Sequence, residues 1–300
     1  MSKAKIAVIG AGLMGHGIAQ VFALAGHDVT VSDTVMKNLD TLATRIATNL
    51  RDLGEDESAV DRVRPCVDLG EAVEGVDYVV EAVFEDLALK QKLFAEIEAH
   101  VRPDTIVASN TSVIPITAIM GGLKRRERAL GTHWWNPPFL VPLVEVIETQ
   151  WTSPDVVART IDLHRAAGKQ PAHVKKDVPG FIGNRLQHAL WREAISLVER
   201  GICDAETVDA VVKAAFGRRL AVLGPLENAD LVGTDLTLAI HRTVLPDIES
   251  RPGPSPYLER LVSEGKLGFK SGEGFRKWSA EDQAALRVKV VQHLKRTRDI

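Results

Sequence analysis

The hydrophobic pattern at the start of the chain changes from a continuous apolar run to helical spacing and back. Residues 6–9 are all apolar, which is typical of a strand buried on both faces of a parallel sheet. From Ile18 onward, apolar residues recur at helical spacing until Gly26, and a second strand is predicted over residues 29–32. The pattern therefore predicts a β-α-β unit.

The same alternation continues for the next 130 or so residues. Residues 34–66 are predicted as a helical excursion, because apolar positions keep helical spacing there. The later pattern predicts four strands and two helices, the strands over 77–83, 105–110, 128–134 and 142–148 and the helices over 87–101 and 154–167. Such alternation is typical of an α/β, Rossmann-type doubly wound sheet, in which ligands lie beyond the carboxyl ends of the strands. Ser112 and His133 both fall at such ends.

Beyond residue 181 the pattern is helical, with no convincing strand. The stretch "GFIGNRLQHALWREAISLVERG" predicts one long helix closed by Gly201, and "RPGPSPY" (251–257) predicts a loop. A chain of 300 residues is long enough for two domains. We therefore predict a Rossmann domain over residues 1–180 and an all-helical domain over residues 181–300.

The composition changes this picture little. The chain is 45% apolar and 26% charged, as in ordinary globular proteins, and its net charge of -3 gives no reason to expect a nucleic acid or a membrane surface as partner. No apolar stretch approaches the roughly 20 residues that span a bilayer, and the first residues run directly into a strand, without room for a signal peptide. Cys66 and Cys203 form neither a metal-ligand spacing nor a disulfide framework, which favours a cytoplasmic location.

The first candidate site is the glycine-rich stretch "GAGLMG" between the first strand and the first helix. Gly10 permits the tight turn, Gly12 leaves a pyrophosphate room to approach the backbone, and Gly15 lets the helix pack close to the strand. Leu13 and Met14 complete the loop, whose free N–H groups at the helix start would hold phosphates. The loop therefore predicts a bound dinucleotide.

Asp33, at the end of the second strand, indicates which dinucleotide. A carboxylate there accepts hydrogen bonds from the adenosine ribose hydroxyls and repels a 2′-phosphate. The four residues after Asp33 contain Lys37 but no arginine, so NAD is favoured over NADP. The alternative is a glycine turn without a ligand, with Asp33 as a simple helix N-cap.

Seven stretches in order resemble the 3-hydroxyacyl-CoA dehydrogenase family over essentially the whole chain. They are "GAGLMG", "VVEAVFEDLALKQKLF", "ASNTS", "GTHWWNP", "LVEVI", "DVPGFIGNR" and "GFKSGEGF". The resemblance implies His133 as the catalytic base, held by Glu145, with Ser112 and Asn184 on the reacting oxygen. It also implies a homodimer formed through the helical domain, and contacts to the nicotinamide or its ribose from Glu85, Lys90, Ser112 and Asn136.

The chemistry of alcohol oxidation supports these residue types independently. A base must take the hydroxyl proton while a hydride leaves the same carbon, and a histidine can do so near neutral pH. Glu145 lies in an apolar strand, where a carboxylate needs a partner, and it could fix the histidine tautomer. The Ser112 hydroxyl and the Asn184 amide are neutral donors suited to the ketone oxygen. Taken singly, the alternatives are a core histidine, a solvent-facing edge-strand carboxylate, a helix N-cap and a helix-surface amide.

The substrate is left open by the sequence. Classical family members hold coenzyme A on the excursion after the second strand. Residues 34–66, however, contain one more acidic side chain than basic ones, so they form no basic patch. The stretch "NPPFLVPLVE" resembles the branch that acts on small free acids, of the L-gulonate or pyridine-carboxylate type. Arg218 or Arg219 could clamp a substrate carboxylate, or be a solvated pair.

Two further points stay open. Trp134 and Trp135 replace phenylalanines that are common in the family, and they predict either core packing or an aromatic substrate pocket. The function is predicted as NAD-dependent oxidation of a 3-hydroxyacyl-CoA or similar 3-hydroxy acid. The alternatives are oxidation of a small hydroxy acid or hydroxylated aromatic acid without CoA, and a catalytically silent, crystallin-like NAD-binding protein.

Overall fold

A computed structural model describes residues 3–297, and its central feature is an eight-stranded sheet. The strands are β1 (Lys5–Ile9), β2 (Asp28–Ser32), β3 (Val63–Cys66), β4 (Tyr78–Glu81), β5 (Ile106–Ser109), β6 (Ala129–Trp134), β7 (Leu143–Ile147) and β8 (Gln170–Val174). Their order is β3-β2-β1-β4-β5-β6-β7-β8, and all neighbours are parallel except β6 and β7. The predicted doubly wound α/β fold is confirmed.

Helices from the intervening segments cover both faces of this sheet. They are α1 (Gly15–Leu24), α2 (Met36–Asp40), α3 (Leu42–Leu53), α4 (Leu69–Val73), α5 (Leu87–His100), α6 (Ile116–Met120) and α7 (Pro154–Ala166). On β1, Val8 joins one apolar cluster together with Phe22 of α1, whereas Ala7 joins another together with Phe94 of α5. Because successive side chains of a strand point to opposite faces, a strand covered on both sides must be apolar throughout.

The two edge strands differ from the sequence-based prediction. The excursion 34–66 is helical in α2 and α3, but residues 63–66 form β3, and β8 was not predicted at all. Both strands contain a proline, Pro65 and Pro171, and both are partly exposed. Proline is tolerated at a sheet edge because one side of an edge strand needs no ladder hydrogen bonds, but it weakens the strand signal.

The rest of the chain is helical, as predicted. The helices are α8 (Gly183–Glu199), α9 (Ala205–Ala214), α10 (Pro225–Val232), α11 (Thr234–Val244), α12 (Pro256–Ser263) and α13 (Ala280–Arg296). The contacts within the chain define two compact units, one reaching Arg185 and including the chain from Val291, the other formed by Leu186–Val290. Within residues 3–297, no helix is long and apolar enough to cross a membrane.

Candidate active site

The three glycines of the loop between β1 and α1 differ in what surrounds them. A Cβ on Gly10, whose φ is +103°, would lie 2.6 Å from the carbonyl oxygen of Ala82, and a Cβ on Gly15 would lie 1.6 Å from that of Gly10. A Cβ on Gly12 would meet no protein atom within 4 Å. The fold itself therefore requires Gly10 and Gly15, whereas the open side of Gly12 leaves room for a ligand.

The backbone of this loop fits an anionic group. Leu13 is 67% exposed, and Met14, which precedes α1, makes no side-chain capping bond. Within residues 3–297, the N–H groups of Gly12 and Leu13 have no hydrogen-bond acceptor. Unpaired N–H groups at a helix start are a ready site for phosphates, so the pyrophosphate of a dinucleotide suits this loop.

Asp33 follows β2 beside the glycine loop. Its Oδ2 accepts hydrogen bonds from Ala11 N (2.7 Å) and Asn38 Nδ2 (3.0 Å), and its Oδ1 accepts one from Val35 N (2.7 Å). Val35, not Asp33, is the N-cap residue of α2. The carboxylate therefore lies at the carboxyl end of β2, where the ribose of a dinucleotide is recognised in this fold.

His133 and Glu145 are direct neighbours across the antiparallel pair β6–β7. Nδ1 of His133 lies 2.8 Å from Oε2 of Glu145, and the two residues are 4% and 1% exposed. An ionised carboxylate can only accept, so Nδ1 donates its hydrogen and Nε2 of the neutral ring carries a lone pair. No hydrogen-bond partner of Nε2 occurs among the described residues.

The other carboxylate oxygen of Glu145 faces the start of α8. Oε1 accepts hydrogen bonds from the backbone N–H groups of Ile182 (2.8 Å) and Gly183 (2.9 Å). The turn that delivers them contains Gly180 and Phe181, both with positive φ, at +74° and +49°. Burial alone would raise the pKa of Glu145, but the hydrogen bonds from His133 and the two N–H groups outweigh it and hold that pKa below 4.5. Glu145 is therefore an anion at neutral pH.

Ser112, in the loop that follows β5, lies beside Asn184, in the first turn of α8. Asn184 Nδ2 donates to the backbone oxygen of Ser112 (2.9 Å), and the backbone N–H of Ser112 donates to Glu85 Oε1 (2.9 Å). Within the described chain, the Ser112 hydroxyl has no hydrogen-bond partner. The structure thus brings together three predicted site residues and leaves the serine hydroxyl available.

Glu85 is held by several donors. Its Oε1 also accepts from Thr111 Oγ1 (2.6 Å) and from the N–H of Val113 (3.2 Å), and its Oε2 lies 3.3 Å from Lys90 Nζ. Burial alone would raise the pKa of Glu85. The hydrogen bond from Thr111, the Lys90 charge and the backbone N–H groups outweigh burial, so the pKa is lowered overall. Glu85 is therefore a fixed anion that shapes the loop around Ser112.

Lys90 lies behind Glu85 and is 1% exposed. Its Nζ is 2.6 Å from Oε1 of Glu81, whose other oxygen accepts from Ser109 Oγ (2.6 Å). The predicted direct contact between Lys90 and the cofactor does not fit this burial. The geometry favours Lys90 as a support for Glu85.

The aromatic pair after His133 divides between the two faces of β6. Trp134 is 2% exposed, with its ring centroid 5.5 Å from that of Phe22 and 5.2 Å from that of His164. The prediction of Trp134 as a substrate residue is therefore wrong, because strand alternation turns it away from His133 into the core. Trp135 instead has its ring centroid 5.3 Å from that of His133.

The other predicted residues lie on the surface. Asn136 follows β6 directly and is exposed, as the predicted contact with the cofactor requires. Arg218 and Arg219 follow α9 in the unit Leu186–Val290; both are exposed, and neither has a salt bridge to another described residue.

Several supporting residues were missed by the sequence reasoning. Glu81, the last residue of β4, and Asn110, directly after β5, are buried, and Oδ1 of Asn110 accepts from the N–H of Trp134 (2.8 Å). Phe181 is 1% exposed and packs against the His133 ring at a centroid distance of 5.7 Å. A polar residue at the end of an apolar strand was a usable signal for Glu81 and Asn110. No sequence signal pointed to Phe181.

Two family models match the chain. The NAD binding domain of 3-hydroxyacyl-CoA dehydrogenase matches residues 5–178, and the C-terminal domain of the same enzyme matches residues 180–278. Together they span most of the chain.

Curated relatives agree with these models. The chain is 38% identical over 300 residues to 5-formyl-3-hydroxy-2-methylpyridine 4-carboxylate 5-dehydrogenase of Mesorhizobium japonicum, an alignment that covers 98% of this chain and 97% of the relative. It is 37% identical over 290 residues to the mitochondrial hydroxyacyl-coenzyme A dehydrogenase of Homo sapiens, covering 91% and 90%.

Solved structures show the same two kinds of neighbour. A crystal structure of the pyridine-carboxylic acid 5-dehydrogenase, described as an NAD+ dependent dismutase, has a TM-score of 0.91 at 37% identity and covers 99% of this chain and 97% of that chain. (S)-3-hydroxybutyryl-CoA dehydrogenase PaaH1 from Ralstonia eutropha has a TM-score of 0.76 at 32% identity and covers 93% and 100%. The chain therefore belongs to the 3-hydroxyacyl-CoA dehydrogenase family and is an NAD-dependent dehydrogenase.

Proposed function

We propose that this dehydrogenase oxidises a small free carboxylic acid that carries an oxidisable C–OH group, with His133 as the general base. NAD, when bound, supplies the hydride acceptor. The observation that carries the choice of a free acid is the state of Arg45, Arg51 and Arg64, three of the five cations in residues 34–66, which are engaged within the protein. The catalytic assignment is supported by the geometry of His133 and Glu145.

The proton follows a short path in this proposal. Nε2 of His133 takes the hydroxyl proton as the C–H bond of the same carbon gives up its hydride, which leaves a C=O group and an imidazolium. Glu145 stabilises that imidazolium through Nδ1, at 2.8 Å, and is itself held by two backbone N–H groups. A positioned base of this kind contributes about 10²- to 10⁴-fold to the rate.

Ser112 and Asn184 supply neutral donors for the reacting oxygen. The backbone of Ser112 is fixed on both sides, by Glu85 and by Asn184, while its hydroxyl has no partner in residues 3–297. A donor held in place before the reaction costs little reorganisation as charge develops on the oxygen. The Asn184 amide bonded to Ser112 has a second hydrogen for the same purpose.

Three of the five cations in residues 34–66 are already bonded within the protein and are less available to the phosphates of coenzyme A. Arg51 is bound to Glu57 and Arg64 to Glu71, each at 2.7 Å, and Arg45 donates to backbone carbonyls of the glycine loop. A phosphate on these guanidinium groups would have to displace a carboxylate or a carbonyl. A substrate without CoA avoids that competition.

Similarity to known enzymes favours the same choice. The TM-score is 0.91 for the pyridine-carboxylic acid 5-dehydrogenase, against 0.76 for the 3-hydroxybutyryl-CoA enzyme. The name of the first describes a substrate with a carboxylate and a formyl group on one aromatic ring. A 3-hydroxyacyl-CoA is the second candidate, since the human CoA enzyme is almost equally similar in sequence.

Arg218 and Arg219 are the proposed partners of the substrate carboxylate. Both guanidinium groups are exposed and have no salt bridge within the described chain, so they are available to an external anion. Arginine binds a carboxylate in a bidentate manner that lysine cannot reproduce. A raised KM for a free acid in Arg218→Lys or Arg219→Lys would support this assignment.

The deciding experiment compares NADH formation with 3-hydroxybutyryl-CoA and with a panel of free hydroxy acids and aromatic acids. We expect saturable turnover with a member of the free-acid panel. Strong, saturable activity on the CoA thioester and none on the free acids would overturn the proposal. Tight NAD binding without any turnover would instead favour the silent, crystallin-like protein.

We also propose a homodimer formed through the helical unit. Helices α9, α10 and α11 contain no buried residue, and Leu226 and Leu231 of α10 are 79% and 72% exposed. Apolar faces of this extent are typical of protein–protein interfaces. A second copy of the same chain is the partner that is always present with the protein. A monomeric mass in sedimentation at micromolar concentration would contradict the dimer.

A cytoplasmic location is proposed from the cysteines alone. Cys66 and Cys203 are free thiols, and Cys66 is buried, with its Sγ donating to the backbone oxygen of Asp68 (3.2 Å). Free cysteines are the usual state in a reducing compartment. Fractionation of cells that produce the protein tests this location.

A further inference from the structure

Two side chains outside the glycine loop bind its carbonyl oxygens. Nη2 of Arg45, on α3, donates to the carbonyl of Ala11 (2.7 Å), and its Nη1 donates to that of Gly12 (3.3 Å). Nδ1 of His16, on α1, lies 2.8 Å from the same Gly12 oxygen. A carbonyl can only accept, so His16 is a donor there. Neither residue has a part in the mechanism derived above.

The geometry of the peptide bond gives these contacts a consequence. In a trans peptide, the C=O and the N–H of the same unit point in opposite directions. The carbonyl of Ala11 shares its peptide with the N–H of Gly12, and the carbonyl of Gly12 shares its peptide with the N–H of Leu13. Donors that fix both carbonyls on one side therefore fix both N–H groups on the other.

We propose that Arg45 and His16 are positioning residues that orient the Gly12 and Leu13 N–H groups toward the pyrophosphate of NAD. Those two N–H groups have no acceptor within residues 3–297, and Gly12 has open space where a Cβ would be. With the carbonyls turned away, the loop presents donors and no lone pairs to the anionic ligand. The inference rests on the binding of NAD at this loop.

A second role for Arg45 has to be separated from this one. Nη2 of Arg45 also donates to the backbone oxygen of Asn38 (2.8 Å), and Asn38 Nδ2 donates to Asp33 (3.0 Å). Loss of Arg45 could therefore disturb the ribose site at Asp33 instead of the phosphate loop. The two roles differ in the ligand that they affect, since adenosine carries the ribose but no phosphate.

The test is a titration of purified full-length protein with NAD, ADP-ribose and adenosine. Arg45→Met should raise the dissociation constants of NAD and ADP-ribose about tenfold, as expected for loss of charge-assisted hydrogen bonds, and change that of adenosine less than about twofold. Arg51→Met is the matched control: it removes the same charge from the same helix, where Arg51 binds Glu57 (2.7 Å), and should leave all three constants unchanged.

Variants of His16 provide an independent test that keeps the net charge of the protein. His16→Ala should weaken NAD binding a few-fold, and His16→Asn should restore it, since the asparagine amide can place a donor where Nδ1 lies. NAD binding equal to wild type in Arg45→Met, or an equal loss for adenosine and NAD, would overturn the proposal. If Arg45→Met does not fold, the His16 pair decides, and equal NAD affinity in His16→Ala and wild type is then the overturning result. Failure of the wild-type protein to bind NAD would refute the cofactor assignment itself.

Discussion

His133 and Glu145 are paired residues of the antiparallel strands β6 and β7, with Nδ1 and Oε2 2.8 Å apart. Because directly opposite residues of such a pair share one face of the sheet, the backbone ladder itself aligns the acid with the base. A shift of the register by one residue would turn Glu145 to the opposite face. The catalytic pair is thus fixed by the strand register, and the loops contribute the surrounding donors.

Glu145→Gln should lower kcat roughly 10³-fold while the protein remains folded. A glutamine can still accept from the N–H groups of Ile182 and Gly183, but its amide then directs N–H groups at His133. The ring would switch tautomers, with Nδ1 as the acceptor and Nε2 protonated, so Nε2 could no longer take the hydroxyl proton. Steady-state kinetics with a substrate found in the panel measure this loss.

The affinity for NAD is the control for that variant. Glu145 lies away from the glycine loop in sequence and makes no bond to it within the described residues, so the dissociation constant of NAD should stay near the wild-type value. Turnover within tenfold of wild type would contradict the assignment of Glu145.

Gly12→Ala and Gly15→Ala separate cofactor binding from folding. The Cβ of an alanine at position 12 meets no protein atom within 4 Å. The free energy of unfolding of Gly12→Ala should therefore equal that of the wild type or exceed it by less than about 1 kcal/mol. The new methyl group would occupy the space predicted for the pyrophosphate, and NAD affinity should fall more than about tenfold. Chemical unfolding and NAD titration measure the two effects.

Gly15→Ala, in contrast, should reduce the stability of the fold. Its Cβ would lie 1.6 Å from the carbonyl oxygen of Gly10, so the loop must shift and stability should fall clearly. Normal NAD affinity in Gly12→Ala would show that the open side of that residue does not face the cofactor.

Trp134→Phe and Trp135→Phe should differ although the two residues are adjacent. Trp134 packs in the core against Phe22 and lies 5.3 Å from Lys169 Nζ, so its replacement should lower the free energy of unfolding by about 1–3 kcal/mol. Trp135 lies against His133, and its Cζ2 atom is 2.4 Å from where a Cβ on Gly183 would be. Trp135→Phe should therefore change the KM for the substrate more than it changes stability. A larger KM change in Trp134→Phe would contradict this division.

The sequence pattern predicted the interior of the sheet well and its edges poorly. β1, β4 and β6 are buried on both faces, and the apolar runs of β1 and β4 stand out from any neighbouring segment. β3 and β8 are partly exposed and interrupted by proline, and their pairing depends on a neighbour already in place. A pattern confined to the strand itself cannot carry that information.

The candidate site was predictable in the same uneven way. His133 and Glu145 could be paired because the resemblance to the family implied it, and because Glu145 lies in an apolar strand where a carboxylate needs a partner. Trp134 and Trp135 could not be distinguished, since their faces depend on where β6 ends. Lys90 was expected at the cofactor, and its burial against Glu81 follows from the helix α5 packing on β4, which only the tertiary structure fixes.

Stability should fall in acid partly through Glu85, whose pKa is held below 4.5 in the folded protein. A carboxylate with a lowered folded-state pKa stabilises the protein fully above its unfolded pKa, and the stabilisation is lost as pH falls through the folded value. Glu85→Gln should therefore cost stability at pH 7, because the buried Lys90 loses one of its two carboxylate partners. The gap from wild type should shrink as the pH falls below 4.5 and through the lowered folded-state pKa of Glu85, because the carboxylate is then protonated.

Urea unfolding of wild type and Glu85→Gln across this pH range measures the gap. Glu74→Gln, at an exposed position without a salt bridge in residues 3–297, is the matched control and should follow wild type at every pH. A gap of the same size at pH 7 and at the lowest pH at which the wild type stays folded would mean that the Glu85 charge does not stabilise the fold. In that case Thr111 and the N–H groups of Ser112 and Val113 would hold the loop equally well through an uncharged acceptor.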